Sequence, residues 1–328
     1  MNKFSSFFSD EIEQFSKNPE TMIVVGLIFG VLIFATLLFF IWGKIRPQAN
    51  LKELKQRTKS WWMMATIFVA ATIFNPIISF MAFALLSFAA LRELSSISKN
   101  VREEDRKVLI WCYLSIPVQY YFAYKGWHNL FLTFIPIFMF IWIPFMLILQ
   151  GTTEGISRSM SVLPTQLMFT VFGISHLAFL LSLPPLENFN AGGRGLLLFI
   201  VFITEMNDVF QFTWGKLLGK MKILPKISPN KTWEGFVGGV LTSAVVGYFL
   251  HFLTPLSGIE AMIVSACIAC AGFVGDVVVS AIKRDIGKKD TADVIPGHGG
   301  VLDRIDSLAI TAPVFFHIVY HLCYLGHT

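Results

Sequence analysis

Asp276, Ser280, Lys283 and Arg284 stand at i, i+4, i+7 and i+8. A helix through them therefore presents a carboxylate, a hydroxyl and two cations on one face. From the second of them runs a stretch of 27 residues, SAIKRDIGKKDTADVIPGHGGVLDRID, at 280–306. It holds Lys283, Arg284, Lys288, Lys289 and Arg304 beside Asp285, Asp290, Asp293, Asp303 and Asp306, around a Pro-Gly-His-Gly-Gly turn at 296–300. An apolar helix leads in and another leads out. Cations, carboxylates and a glycine loop in that setting suit a polyanionic, metal-bound substrate. Blander roles compete. A lone Asp276 serves equally as a proton relay or in a structural pair, Asp303 and Asp306 are good helix N-caps, and Asp285, Asp290 and Asp293 suit solvated loop charge. His298 either binds phosphate or fits a turn. The basic residues one to two turns beyond Asp276 favour the metal-plus-phosphate reading.

Two upstream stretches carry related chemistry. In 204–220, TEMNDVFQFTWGKLLGK, Asp208, Gln211 or Phe212, and Gly215 recur at helical spacing. A carboxylate in a spanning helix is costly and faces a polar cavity or a partner; Glu205, three residues before Asp208, is the weaker candidate. In 226–239, KISPNKTWEGFVGG, a Ser228-Pro229 turn precedes Lys231, Thr232, Trp233 and Glu234, which are expected to open a helix. Free N–H groups and the positive dipole end at a helix start suit phosphate. An ordinary loop capped by Ser228 or Thr232 is the plain alternative.

These residues must be positioned by a membrane fold. Of the 328 residues, 55% are hydrophobic and 14% charged, against about 25% charged in a soluble domain. The reading is all-α: a polytopic transmembrane bundle of ten spanning helices. Apolar runs fall at 21–42, 61–91 (a hairpin of two short helices broken at Asn75-Pro76), 108–124, 129–149, 163–183, 195–214, 235–253, 258–282 and 306–325. Residues 44–59 are basic and amphipathic, and 92–107 reads as a charged loop. Loops 43–60, 92–107, 150–162, 215–234 and 283–305 together hold 22 Lys and Arg, against 4 on the other side. The positive-inside rule then sets both termini outside and every charged motif in the cytoplasm.

The net charge of +5 is modest, and no basic face is interleaved with exposed aromatics, so nucleic-acid binding is not expected. Cys112, Cys267, Cys270 and Cys323 lie in apolar runs. One CxxC without a second pair points to small packing residues, not to a metal site or a disulfide. Residues 1–20 lack the basic start of a signal peptide.

The pattern Ser280-x-Ile282-Lys283-Arg284, Lys289-Asp290, Pro296-x-His298-Gly299-Gly300 and Asp303-Arg304-x-Asp306 resembles the C-terminal signature of the phosphatidate cytidylyltransferase (CDP-diglyceride synthetase) family. Residues 228–239 are similar to that family's S-P-x-K-T-W-E-G loop. The resemblance covers 57–328 and leaves 1–56, with the first span, as an addition. It implies that CTP and phosphatidate give CDP-diacylglycerol and pyrophosphate with Mg2+. It also implies a di-metal centre on Asp276 and Asp303, with Asp306 beside them, and a homodimer. On this reading Lys283, Arg284 and Arg304 clamp phosphates, while Ser228, Lys231 and Thr232 hold part of CTP. Ser280, Lys289, Gly299 and Gly300 add substrate contacts, Asp208 organises the polar cavity, and His298 closes over the phosphates. The active site is expected on the cytoplasmic side of a bacterial cytoplasmic membrane.

One motif departs from the pattern. Gln211 stands where relatives have a small residue, Phe212 where they have Tyr, and Asn230 where many have Lys. These changes put the acceptor in question, so a cytidylyltransferase for another lipid phosphate is the alternative. A multi-pass transporter is the rival of another class. It calls for ionisable residues at the bilayer midplane and inverted repeats, and no repeat is evident.

Overall fold

The computed structural model describes residues 19–45, 52–73, 76–98, 104–151, 153–287 and 300–325. They form ten α-helices, where the sequence reading had ten spanning helices. In chain order these are α1 (Pro19–Ile45), α2 (Lys52–Ile73), α3 (Pro76–Ile97), α4 (Leu109–Tyr124), α5 (His128–Ile148), α6 (Ile156–Leu180), α7 (Gly192–Leu218), α8 (Trp233–Phe249), α9 (Gly258–Asp285) and α10 (Leu302–Tyr324). Seven of them, α1, α3, α5, α6, α7, α9 and α10, are long and apolar enough to cross a membrane by length and composition. The other three fall short for visible reasons. α4 and α8 have 16 and 17 residues, below the roughly 20 that a hydrocarbon core needs. α2 begins with the polar run KELKQRTKS.

Local chemistry sets several boundaries. Pro76 opens α3, where its missing N–H costs nothing. Ser257 and Glu260 form a reciprocal capping box at the start of α9. Several elements differ from the sequence reading: α2 and α6 begin at Lys52 and Ile156, where starts near 61 and 163 were expected. The stretch 92–107 is not all loop: α3 runs on to Ile97, because Ala90, Leu94 and Ile97 continue its buried face past Arg92. α7 extends beyond 214 to Leu218. Between α7 and α8 lies a small antiparallel hairpin, β1 (Lys222–Leu224) with β2 (Ser228–Thr232). Lys231 and Thr232 are thus on a strand, and the following helix starts one residue after them.

The interior is dense in aromatics, with Phe131, Phe199, Phe315 and Phe316 fully buried. Large apolar side chains such as Phe34, Ile141 and Phe249 face outward, as a lipid-facing surface requires and a water-facing one disfavours. α8 packs between α7 and α9, and α10 packs on α9. Two glycines permit the close approach, as small residues do between membrane helices. A Cβ on Gly239 would overlap the Gln211 side chain, and one on Gly275 would meet the Asp306 carbonyl oxygen at 2.5 Å.

Candidate active site

The late half of α7, strand β2, the end of α9 and the start of α10 converge at one end of the bundle. The hairpin sets the first piece. Thr232 caps α8, its hydroxyl accepting the Gly235 N–H at 3.1 Å. Glu234 accepts the N–H groups of Lys220 and Met221 at 3.0 and 3.2 Å. Accepting backbone N–H bonds, its own and that of Lys220, holds its carboxyl below the ordinary value. Both side chains therefore fasten the hairpin to the helix start. Thr232, expected to touch substrate, is thus also a cap residue, and its hydroxyl keeps a proton to donate. Ser228 lies at the other end of β2, opposite Leu224.

Beside the cap, Lys231 pairs with Asp276 at 2.7 Å, and its ammonium also donates to Gln211 Oε1 at 3.2 Å. The Phe273 ring lies under it, with its centroid at 5.6 Å. Burial opposes the charge on Lys231, but Asp276 and Asp208 outweigh it and hold the amine above its ordinary value. The second Asp276 oxygen accepts the Ser280 hydroxyl at 3.2 Å, as the i, i+4 spacing required. On α7, one oxygen of Asp208 lies 3.3 Å from the Ser307 hydroxyl, which also sits 3.2 Å from the Gly272 carbonyl. The other oxygen, Oδ1, is buried without a hydrogen-bond partner. Asp306 lies in the fields of Asp276, Asp208 and Lys283, and accepts the Ser307 N–H at 2.8 Å. Glu205 is in the field of Asp208 and Arg304.

The signature's far end is a second cation–carboxylate pair. Lys283 meets Asp303 Oδ1 at 2.6 Å, and Asp303 Oδ2 accepts the Gly300 N–H at 3.0 Å. Arg284 Nε donates to the Ile227 carbonyl at 3.1 Å and so ties α9 to the hairpin. Arg304 Nε is buried with no partner. His298, Lys289 and Gly299 lie outside the described residues.

Glu93 and Ser307 bond to residues of the candidate site and were not singled out from the sequence; Gln211, placed there at helical spacing from Asp208, had no assigned role. Glu93 accepts the N–H groups of Val301 and Leu302 at 2.8 and 3.2 Å, holding the start of α10. A signal was available: Glu93 shares helical spacing with the buried Ala90 and Ile97. Ser307 carried no signal beyond its place after Asp306.

Magnesium takes hard oxygen donors, and the carboxylates offer them. Asp208 has an oxygen that nothing else uses, close to Asp276 and Asp306. The donor chemistry therefore fits the ion. Among the described residues, no three His, Cys, Asp or Glu close into a ready-made metal group, and Asp276 and Asp303 each face a lysine.

Residues 55–322 match the cytidylyltransferase family. The uncharacterized protein YnbB of Escherichia coli is 40% identical over 304 residues, 92% of this chain and 98% of that protein. A phosphatidate cytidylyltransferase of Rickettsia bellii is 33% identical over 162 residues, 47% of this chain and 70% of that protein. One from Haemophilus influenzae is 39% identical over 134 residues, 39% of this chain and 46% of that protein.

Proposed function

The chain belongs to the cytidylyltransferase family, and we propose that this nucleotidyltransferase moves the cytidylyl group of CTP onto the phosphate of phosphatidate, giving CDP-diacylglycerol and pyrophosphate. The observation that carries the reading is the pairing of Lys231 with Asp276 and of Lys283 with Asp303 at one end of an apolar bundle. Cations and carboxylates there suit a lipid phosphate held at the membrane and a nucleotide arriving from water. Bacterial relatives support an inner-membrane location, and the basic loops support a cytoplasmic site. Residues 57–328 form the catalytic unit in this reading, and 1–56 are an addition to it.

The acceptor phosphate needs little activation. A phosphate monoester has a second pKa of about 6, so near pH 7 its oxygen is already anionic. That oxygen attacks the α-phosphorus of CTP, and the bond from this phosphorus to the bridging oxygen of the β-phosphate breaks. Pyrophosphate leaves with the electron pair. The difficulty is to bring anions together, which positioning and charge neutralisation address. Lys231 sits on β2 to take a phosphate of CTP. Lys283, Arg284 and Arg304 receive the acceptor phosphate and the leaving group. Asp276 and Asp303, with Asp306 and Asp208 near, would hold Mg2+, whose contribution is to neutralise phosphate charge.

Labelled CTP and a panel of acceptors test the reading with the protein in liposomes: phosphatidate, an ether-lipid phosphate and a polyprenyl phosphate. Label in CDP-diacylglycerol supports phosphatidate. Label only in another lipid reassigns the acceptor, a choice left open by the partial overlap with the phosphatidate enzymes. No transfer to any lipid overturns the reading.

A further inference from the structure

Gln211 lies on α7 one turn beyond Asp208, 4% exposed. Its Oε1 accepts from the Lys231 ammonium at 3.2 Å. Its Nε2 is buried and has no hydrogen-bond partner. The orientation of the amide is fixed by charge. An ammonium offers only donors, so the carboxamide must turn its oxygen to Lys231 and its NH2 away. A buried donor left unpaired is expensive, and proteins seldom keep one without a use.

The surroundings show that the side chain is accommodated deliberately. Gly239 of α8 lies against its stem, so closely that a Cβ there would overlap Gln211 Cγ. Lys231, which the amide oxygen holds, is the same lysine that pairs with Asp276. An anion brought to Lys231 would arrive beside the same carboxamide, whose NH2, on the far side of its carbon from Lys231, has two protons to give. Asp208, the carboxylate one turn away, leaves only an acceptor unpaired.

We propose that Gln211 is a substrate contact whose carboxamide NH2 donates to a phosphoryl oxygen of the bound substrate, next to the Lys231 ammonium. This rests on the cytidylyl-transfer reading and assigns one further specificity-determining residue to it. The phosphoryl oxygen comes either from CTP or from the acceptor lipid, and the two sources are separable.

The test uses the full chain with Gln211→Met, which keeps the volume and removes the amide, and Gln211→Ala. Thermal unfolding checks that each variant folds. KM for CTP and for phosphatidate are measured with the other saturating. Equilibrium binding of labelled CTP, and of vesicles containing phosphatidate, is measured separately. A hydrogen bond to a charged group predicts a loss of about ten- to a hundredfold for one substrate in both variants, with the other changed less than about twofold. The substrate affected identifies the source of the oxygen. KM and Kd unchanged for both substrates in a folded Gln211→Met protein would overturn the proposal. Wild-type binding without transfer overturns the reaction and leaves the binding arm to judge Gln211. Wild-type protein that binds neither substrate overturns both.

Discussion

Glu93 Oε2 accepts the backbone N–H of Val301 at 2.8 Å, across a sequence separation of 208 residues. Its other oxygen takes the Leu302 N–H. A carboxylate at a helix start satisfies free donors and meets the positive end of the dipole. The residues it anchors lead directly into Asp303, Arg304 and Asp306. Glu93→Ala leaves two N–H groups without this acceptor and is expected to cost about 1–3 kcal/mol, read as a lower unfolding temperature in detergent. Cytidylyl transfer should fall with it. Glu93→Gln keeps one acceptor and should lose less of both. Equal stability in all three proteins would remove Glu93 from this role.

Lys231 and Asp276 form a half-buried pair. Removing one partner leaves a charge in an apolar setting, so Lys231→Met and Asp276→Asn should each destabilise by about 1–3 kcal/mol. The double variant should recover part of that loss, as interacting neighbours do. The pH dependence has a definite sign. Burial works against the Lys231 charge, and Asp276 and Asp208 prevail, so the folded value lies above the ordinary 10.5. A raised value means stability that is fully present below 10.5 and is lost as pH rises through the folded value. The gap in unfolding temperature between wild type and Lys231→Met should therefore be flat from neutral pH to about 10 and shrink only above it. A gap that closes between pH 7 and 9 would contradict this.

The long apolar runs were legible because hydrophobic length is a strong signal, and α1, α5 and α9 lie where it put them. The face shared by Asp276 and Ser280 was legible for the same kind of reason: helical spacing is local, and the two do bond. What escaped was chosen by tertiary contact. Glu93 looked like loop charge because two arginines and further acids follow it, while its partners are far away in sequence. The residues 228–232 looked like a helix entrance, but pairing with 222–224 makes them a strand. Gln211 was visible as a departure from a pattern and by its helical spacing from Asp208; its use of Lys231 needed the fold.

The carboxylates divide into testable roles. Asp276→Asn and Asp303→Asn each remove a charge facing a lysine and an oxygen suited to Mg2+. If they hold the ion, each should lower kcat by about 10²–10³-fold, the size seen when one preorganised electrostatic group is lost. The Mg2+ concentration for half-maximal activity should rise as well. Chelation by EDTA should abolish transfer by wild type, with recovery on adding Mg2+. Full activity and unchanged magnesium dependence in both variants would refute the assignment.

Phe212 is read from the sequence as a departure from the family pattern, as Gln211 is, yet its position predicts the opposite outcome. Gln211 turns inward to Lys231, whereas Phe212 is exposed on the outer side of α7 with the Lys216 ammonium 4.6 Å from its ring centroid. Phe212 is 55% exposed, so a hydroxyl added there would lie at the protein surface. Phe212→Tyr should therefore leave KM for CTP and for the lipid within about twofold, since substitutions at exposed sites usually change free energy by no more than about 0.5 kcal/mol. Kinetics of Phe212→Tyr beside Gln211→Met, on the same acceptor panel, make the contrast. A tenfold change of acceptor preference in Phe212→Tyr would show that the outer face of α7 meets the lipid substrate, and that the route to the site runs along it.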